Sequence, residues 1–165
     1  MRRPFIAALA VLAVAAPALA SDPPYLPLAK FLGTPRLASA TQTPGKTQML
    51  LKFVPGGQSA TSWKKLSTFS ILKVPAADTD GATRGVIVRY RDALRSRHAK
   101  IATFDENPLS PANAYFEFSA AGESHKGVVY SPHEGFVTVI DLAVKNGGAI
   151  GDGDVTALKK TAGRS

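Results

Sequence analysis

The sequence predicts an α+β fold, in which a mainly antiparallel sheet of about five to six strands is covered by a long amphipathic helix and shorter helices. Two observations support this class. The last third of the chain contains three strand-like segments joined by short polar loops, which is typical of an antiparallel meander. Residues 83–98 place Val86, Ile87, Tyr90 and Leu94 on one face of a helix, and this apolar face can cover the sheet.

The first two predicted strands form a hairpin. Residues 36–42 and 47–55 flank Thr43-Pro44-Gly45-Lys46, where Pro followed by Gly suits a type II turn because Gly accepts a positive φ. A phosphate-binding loop is not expected here, because it needs a Gly where Ala40 stands. Such a loop also needs a helix after its Lys, and a strand-like segment follows instead.

A short helix is predicted between the second and third strands. Ser59 or Thr61 can cap it, and it contains Trp63 and Leu66. We expect Trp63 to be buried between this helix and the sheet, with an aromatic anchor at an interface as the alternative. The later predicted elements are strands at 68–75, 100–106, 113–120, 125–131 and 136–144, and a terminal helix capped by Asp154.

The N-terminus has the features of a secretory signal peptide. Arg2 and Arg3 precede an apolar run, and Ala18-Leu19-Ala20 matches the small-residue cleavage pattern. Cleavage near Ala20 predicts a periplasmic protein, with full secretion as the alternative. The predicted organisation is a signal peptide at 1–20, a Pro-rich extended lead-in at 21–35 and a single α+β domain at 36–165.

The composition of the chain limits the kinds of site and of binding partner that we expect. The chain has no cysteine, which excludes a disulfide framework, thiol catalysis and thiolate metal sites. Without Arg2 and Arg3, 18 basic residues face 12 acidic residues, which gives a net charge of +6. This charge favours an acidic partner, either an envelope protein or an anionic surface component, and nucleic acid is not expected for an exported protein. No later segment is long and apolar enough to be a transmembrane helix.

No recognisable pattern predicts catalysis. His98, His125 and His133 are not accompanied by the G-x-S-x-G turn of a serine hydrolase. The acidic residues lie in loops or singly on strands, so neither paired carboxylates nor a metal-ligand set is predicted. The sequence therefore predicts no catalytic residue, no metal site and no cofactor.

A basic stripe on the long helix is the predicted partner-binding surface. Arg84, Arg91 and Arg95 fall within about 40° of one another on a helical wheel. Three guanidinium groups in one stripe can bind phosphate or carboxylate groups, and an ordinary solvated helix face is the alternative. If the protein instead carries an apolar ligand, the predicted pocket is lined by Phe69, Tyr90, Phe116 and Phe118.

The segment LKFVPGGQSATSWKKLST, residues 51–68, resembles a pattern in small exported proteobacterial proteins of unassigned function. With the order of predicted elements, the chain is similar in outline to the PsbP-like/Mog-like/DcrB-like α/β sandwich group. That resemblance implies a non-enzymatic binding or assembly-helper protein, which is the predicted function, with a mildly basic surface. The alternatives are a carrier of a small apolar ligand or lipid, and a hydrolase without a recognisable motif.

Overall fold

Seven strands form one antiparallel sheet in the computed structural model, which describes residues 31–163. The order across the sheet is β1-β2-β3-β7-β6-β5-β4, so two antiparallel meanders meet where β3 pairs with β7. The strands are β1 Pro35–Gln42, β2 Gln48–Pro55, β3 Lys65–Lys73, β4 Lys100–Asn107, β5 Asn113–Ala120, β6 Glu123–Tyr130 and β7 Phe136–Lys145.

Two α-helices lie on opposite faces of the sheet within the described residues. Helix α1, Thr79–Ser96, connects β3 to β4, and helix α2, Asp152–Thr161, follows β7. Alternate residues of β7 pack under each helix, because successive side chains of a strand point to opposite faces. Val139 belongs to the cluster that contains α1 residues, whereas Ile140 belongs to the cluster that contains α2 residues.

The predicted fold class is wrong in its balance of strands and helices. The sheet has seven strands rather than about five to six, and α1 and α2 are the only α-helices that lie entirely within residues 31–163. The helix expected around Trp63 does not form, since residues 56–64 are turns and bends. The backbone bonds of this loop explain the difference, because the Ser59 N–H donates to the Ser62 carbonyl at 3.2 Å. In an α-helix an N–H donates to the carbonyl four residues earlier, so this bond is incompatible with a helical turn.

The predicted β1–β2 hairpin is confirmed. The two strands pair in an antiparallel register, and Gly45 has φ 81° and ψ 0°, the values that a type II turn requires at its third residue. The amphipathic helix is also confirmed, although it begins at Thr79 and ends at Ser96 instead of spanning 83–98. The predicted signal peptide and most of the predicted lead-in lie outside the described residues.

The α2 face of the sheet carries the larger apolar cluster. Leu158 of α2 packs there with Ile140 and Leu142, and all three are almost fully buried. Phe31 and Leu32 are helical in conformation and belong to the same cluster, so this part of the predicted extended lead-in is a docked segment. No helix within residues 31–163 is long and apolar enough to cross a membrane.

Candidate functional site

A histidine lies between two carboxylates on the α1 face of the sheet. The Nδ1 atom of His125 in β6 is 2.9 Å from Oδ2 of Asp141 in β7, and its Nε2 atom is 3.3 Å from Oε2 of Glu123. Lys145 extends the group, because its Nζ is 3.5 Å from the other Glu123 oxygen. We call these four residues the His125 network. Only 13% of the His125 side chain and 17% of the Asp141 side chain are exposed.

The geometry of the network favours the charged form of His125. Each carboxylate oxygen is a hydrogen-bond acceptor, so both ring nitrogens face acceptors. A neutral imidazole has one N–H donor, whereas the imidazolium has two. Protonation therefore lets His125 donate to Asp141 and Glu123 at the same time, and loss of that proton leaves one ring nitrogen facing a carboxylate without a donor.

The pKa values around His125 follow from this arrangement. Burial lowers the pKa of His125, but the hydrogen bond and charge of Asp141, together with those of Glu123, outweigh burial and raise it above its ordinary value. Burial raises the pKa of the Asp141 carboxyl, and His125 opposes that rise. Burial and then the negative charge of Asp141 raise the pKa of Tyr90 on α1. Several perturbed groups in one place are a feature of functional sites.

Aromatic rings support the network from β5 and α1. The His125 ring stacks on Phe118 with 4.3 Å between ring centroids and 7° between ring planes. Phe116 lies two residues before Phe118 in β5. Its ring centroid is 6.0 Å from that of Phe118 and 4.7 Å from that of Tyr90. Gly127 makes room for this layer, since a Cβ atom at that position would lie 2.3 Å from the Phe116 ring. The rings therefore fix the plane of the imidazole.

Arg84 and Arg95 of the predicted stripe lie on the exposed side of α1, whereas Arg91 faces β4, and each of the three has a carboxylate partner. Arg84 pairs with Asp80 one turn earlier. Arg91 pairs with Glu106 of β4, and Arg95 lies 3.8 Å from Asp92. The stripe is thus an array of ion pairs whose members differ in exposure: half of the Arg84 side chain and 66% of the Arg95 side chain are exposed, against 28% for Arg91.

The structure brings together three of the four residues predicted to line an apolar pocket. Tyr90, Phe116 and Phe118 pack against one another on the α1 face, beside the His125 network. Phe69 of β3 lies on the opposite face, where its ring contacts Phe53 edge-on at 5.8 Å. The sheet therefore separates Phe69 from the other three.

Two open depressions flank the network at one end of the sheet. The first has a volume of about 410 Å³ and includes Glu123, together with His98 and Lys100. The second has a volume of about 280 Å³ and includes Lys145. The residues that line this second depression are Gly57, Gln58, Thr61, Ser62, Trp63, Lys64 and Lys145.

Trp63 lies at the second depression, and it is half-buried in a loop instead of a helix. Its ring packs beside Val54, Leu66 and Ala143, and the Lys145 Nζ lies 4.1 Å from the ring centroid. A cation so close to an indole face is attracted by the ring electrons. Lys145 therefore links Trp63 to Glu123 and, through it, to His125.

The four residues of the His125 network interact with one another as ion pairs. The Asp141–His125 contact resembles the part of a catalytic triad that orients a base, but Glu123 occupies the nitrogen that would face a nucleophile. Within residues 31–163, no group of three or more His, Asp and Glu side chains is arranged to hold a metal ion.

The sequence does not predict the His125 network. The predicted strands 125–131 and 136–144 leave their mutual register open, so they do not place His125 and Asp141 on one face. In the hairpin, His125 pairs with Ala143 and Gly127 pairs with Asp141. His125 and Asp141 are therefore diagonal neighbours on the same face, within reach of each other's side chains.

The comparisons with known proteins assign no family to this chain. No protein-family model matches it, and no curated protein matches it. The resemblance to the PsbP-like/Mog-like/DcrB-like group stays a prediction.

Proposed function

We propose that this chain is an exported, non-enzymatic binding or assembly-helper domain that binds an acidic protein partner through the outer side of α1. The observation that carries the proposal is the position of Val88. This apolar side chain is 41% exposed, and its helical position places it within the stripe of Arg84, Arg91 and Arg95. An apolar centre with a polar rim is the usual anatomy of a protein interface.

The arginines of the stripe can exchange their present carboxylate partners for carboxylates of a bound protein. Exposed pairs such as Arg84–Asp80 and Arg95–Asp92 contribute only about 0–1 kcal/mol each. Carboxylates of a partner can therefore replace Asp80 and Asp92 at little cost. The alternation of Asp and Arg along α1 favours a protein over a lipid surface, because both signs of charge give a protein partner a defined register.

The contacts of His125 support a binding role over hydrolysis. Both ring nitrogens face carboxylates, and the network is completed by Lys145. A general base needs a free ring nitrogen within hydrogen-bond reach of the proton that it removes. The close packing of Tyr90, Phe116 and Phe118 supports a binding surface over an internal apolar carrier site.

The test places a photo-crosslinking amino acid at Val88 in the native host and identifies the crosslinked protein by mass spectrometry. We expect one acidic envelope protein, which is lost when Arg84→Glu and Arg95→Glu are combined. Arg91 is left unchanged, because its pair with β4 contributes to the fold.

The matched control changes the charge by the same amount on other surfaces. Lys73→Glu with Lys160→Glu alters two exposed lysines outside α1, and crosslinking at Val88 should persist. A crosslinker at Thr156 on α2 should not capture the same protein. The proposal is overturned if Val88 captures no acidic protein, or if the arginine variant captures it as efficiently as the wild type.

A further inference from the structure

We propose that the depression beside Trp63 is a binding site for a small oxyanion, a phosphate or carboxylate group. The site is built by the loop at 56–64 and by the end of β7, and it includes no residue of α1. It therefore goes beyond the protein-binding surface proposed above. With a volume of about 280 Å³, the depression can hold an anionic group together with a small organic fragment.

The side chains that line the depression are rich in hydrogen-bond donors. The Trp63 indole N–H and the Lys64 and Lys145 ammonium groups can donate but cannot accept. Gln58 uses its Oε1 atom to accept a hydrogen bond from the Lys64 backbone N–H at 2.7 Å, which leaves its NH₂ group for a ligand. Phosphate and carboxylate oxygens are acceptors, so they complement this donor set.

The charge of the depression is positive. Its lining contains Lys64 and Lys145 and no carboxylate side chain. Lys145 has a carboxylate neighbour in Glu123, which lies outside the lining. Lys64 forms no ion pair within the described residues. Its backbone carbonyl accepts a hydrogen bond from the Lys145 N–H at 3.1 Å, which keeps the two lysines close together.

The loop at 56–64 is held in place by hydrogen bonds within the loop and from β1. Ser59 accepts from the Ser62 N–H at 3.0 Å, and the Gln58 carbonyl accepts from Nη2 of Arg36 at 3.0 Å. A loop that is ordered before binding loses less conformational freedom when a ligand arrives. Ordered loops on a rigid sheet are a common location of binding residues.

Trp63 is the only tryptophan of the chain, so its indole N–H gives a single NMR signal that reports on this site. We would titrate the ¹⁵N-labelled protein with inorganic phosphate and compare it with sodium chloride at equal ionic strength. We expect a saturable shift of the Trp63 signal with phosphate alone. Lys145→Met, which keeps an apolar chain over the ring, should weaken binding by about tenfold or more.

The matched control is Lys73→Met. Lys73 lies at the end of β3 that is far from the Trp63 depression. This variant should bind phosphate like the wild type, and so should the combined Arg84→Glu and Arg95→Glu variant. Parallel titrations with acetate and with a sugar phosphate distinguish carboxylate from phosphate and a free ion from an anionic group on a larger molecule. The proposal fails if none of the three anions gives a saturable shift, or if Lys145→Met binds as tightly as the wild type.

Discussion

Replacing Gly127 by alanine tests the packing that positions His125. A Cβ atom at this position of β6 would lie 2.2 Å from the Ile140 carbonyl oxygen and 2.3 Å from Cζ of Phe116. Neither neighbour has room to move. The Ile140 oxygen belongs to the backbone of β7, the strand that pairs with β6. The Phe116 ring is fully buried and lies 4.7 Å from the Tyr90 ring.

The expected loss of stability follows from these contacts. Overpacking of a well-packed core costs about 1–3 kcal/mol, and a clash with both backbone and a fixed ring places Gly127→Ala near the upper end, at about 3 kcal/mol. The entropy of unfolding is about 2.1 cal/mol/K per residue, or roughly 0.28 kcal/mol/K for residues 31–163. The melting temperature should therefore fall by about 10 °C.

The assay is urea denaturation together with a thermal melt, and Gly85→Ala is the matched control. Gly85 lies in α1, where the nearest atom to an added Cβ is 3.9 Å away. Alanine is the better helix former, so Gly85→Ala should raise stability by up to about 1 kcal/mol. If Gly127→Ala changes the free energy of unfolding by less than about 0.5 kcal/mol, the close packing of Gly127 against Phe116 is refuted.

Two further predictions concern the charged groups. The raised pKa of His125 means that its stabilising contribution is fully present below its ordinary pKa of about 6.5 and is lost as the pH rises through the higher folded value. Urea denaturation from pH 5 to pH 9, values that bracket that pKa, should show this fall in the wild type and in a His98→Gln control, but not in a variant that combines His125→Gln with Asp141→Asn; the second change removes the buried carboxyl, whose own pKa is raised. Equal pH profiles for all three proteins would contradict the prediction. For the pair between Arg91 and Glu106, a double-mutant cycle with Arg91→Met and Glu106→Gln should give a coupling energy of about 0.5–1 kcal/mol. The same cycle on the more exposed Arg95 and Asp92 should give a smaller value, and a larger one would show that exposure does not control these pairs.

The strands could be predicted from sequence because their side chains alternate or form apolar runs. In β5, Phe116 and Phe118 point to the α1 face and Tyr115 packs on the other face. Helix α1 was equally clear, since the buried residues Val86, Ile87 and Leu94 repeat at helical spacing. These elements depend on local periodicity, which a single sequence records.

The rest of the structure depends on contacts between distant residues. Local propensity allowed a helix around Trp63, but Gln58 and Ser59 satisfy backbone N–H groups of the loop instead. The His125 network depends on the register of β6 with β7, and a shift of one residue would place His125 and Asp141 on opposite faces. Composition and periodicity do not fix that register, so the network was not predicted.

The location of Asp141 indicates that stability alone does not explain the His125 network. Asp141 lies in β7, the central strand of the sheet, where its neighbours along the same face are Val139 and Ala143. Replacing a buried ion pair by apolar residues of similar volume is often neutral or stabilising, so a core of this size does not need one here. What the pair does provide is orientation: Asp141 fixes His125, His125 directs Glu123, and Glu123 holds Lys145 over Trp63. If this chain of contacts serves the proposed anion site, Asp141→Val with His125→Leu should keep the fold yet weaken phosphate binding at Trp63, and unchanged binding would show that the network and the site are independent.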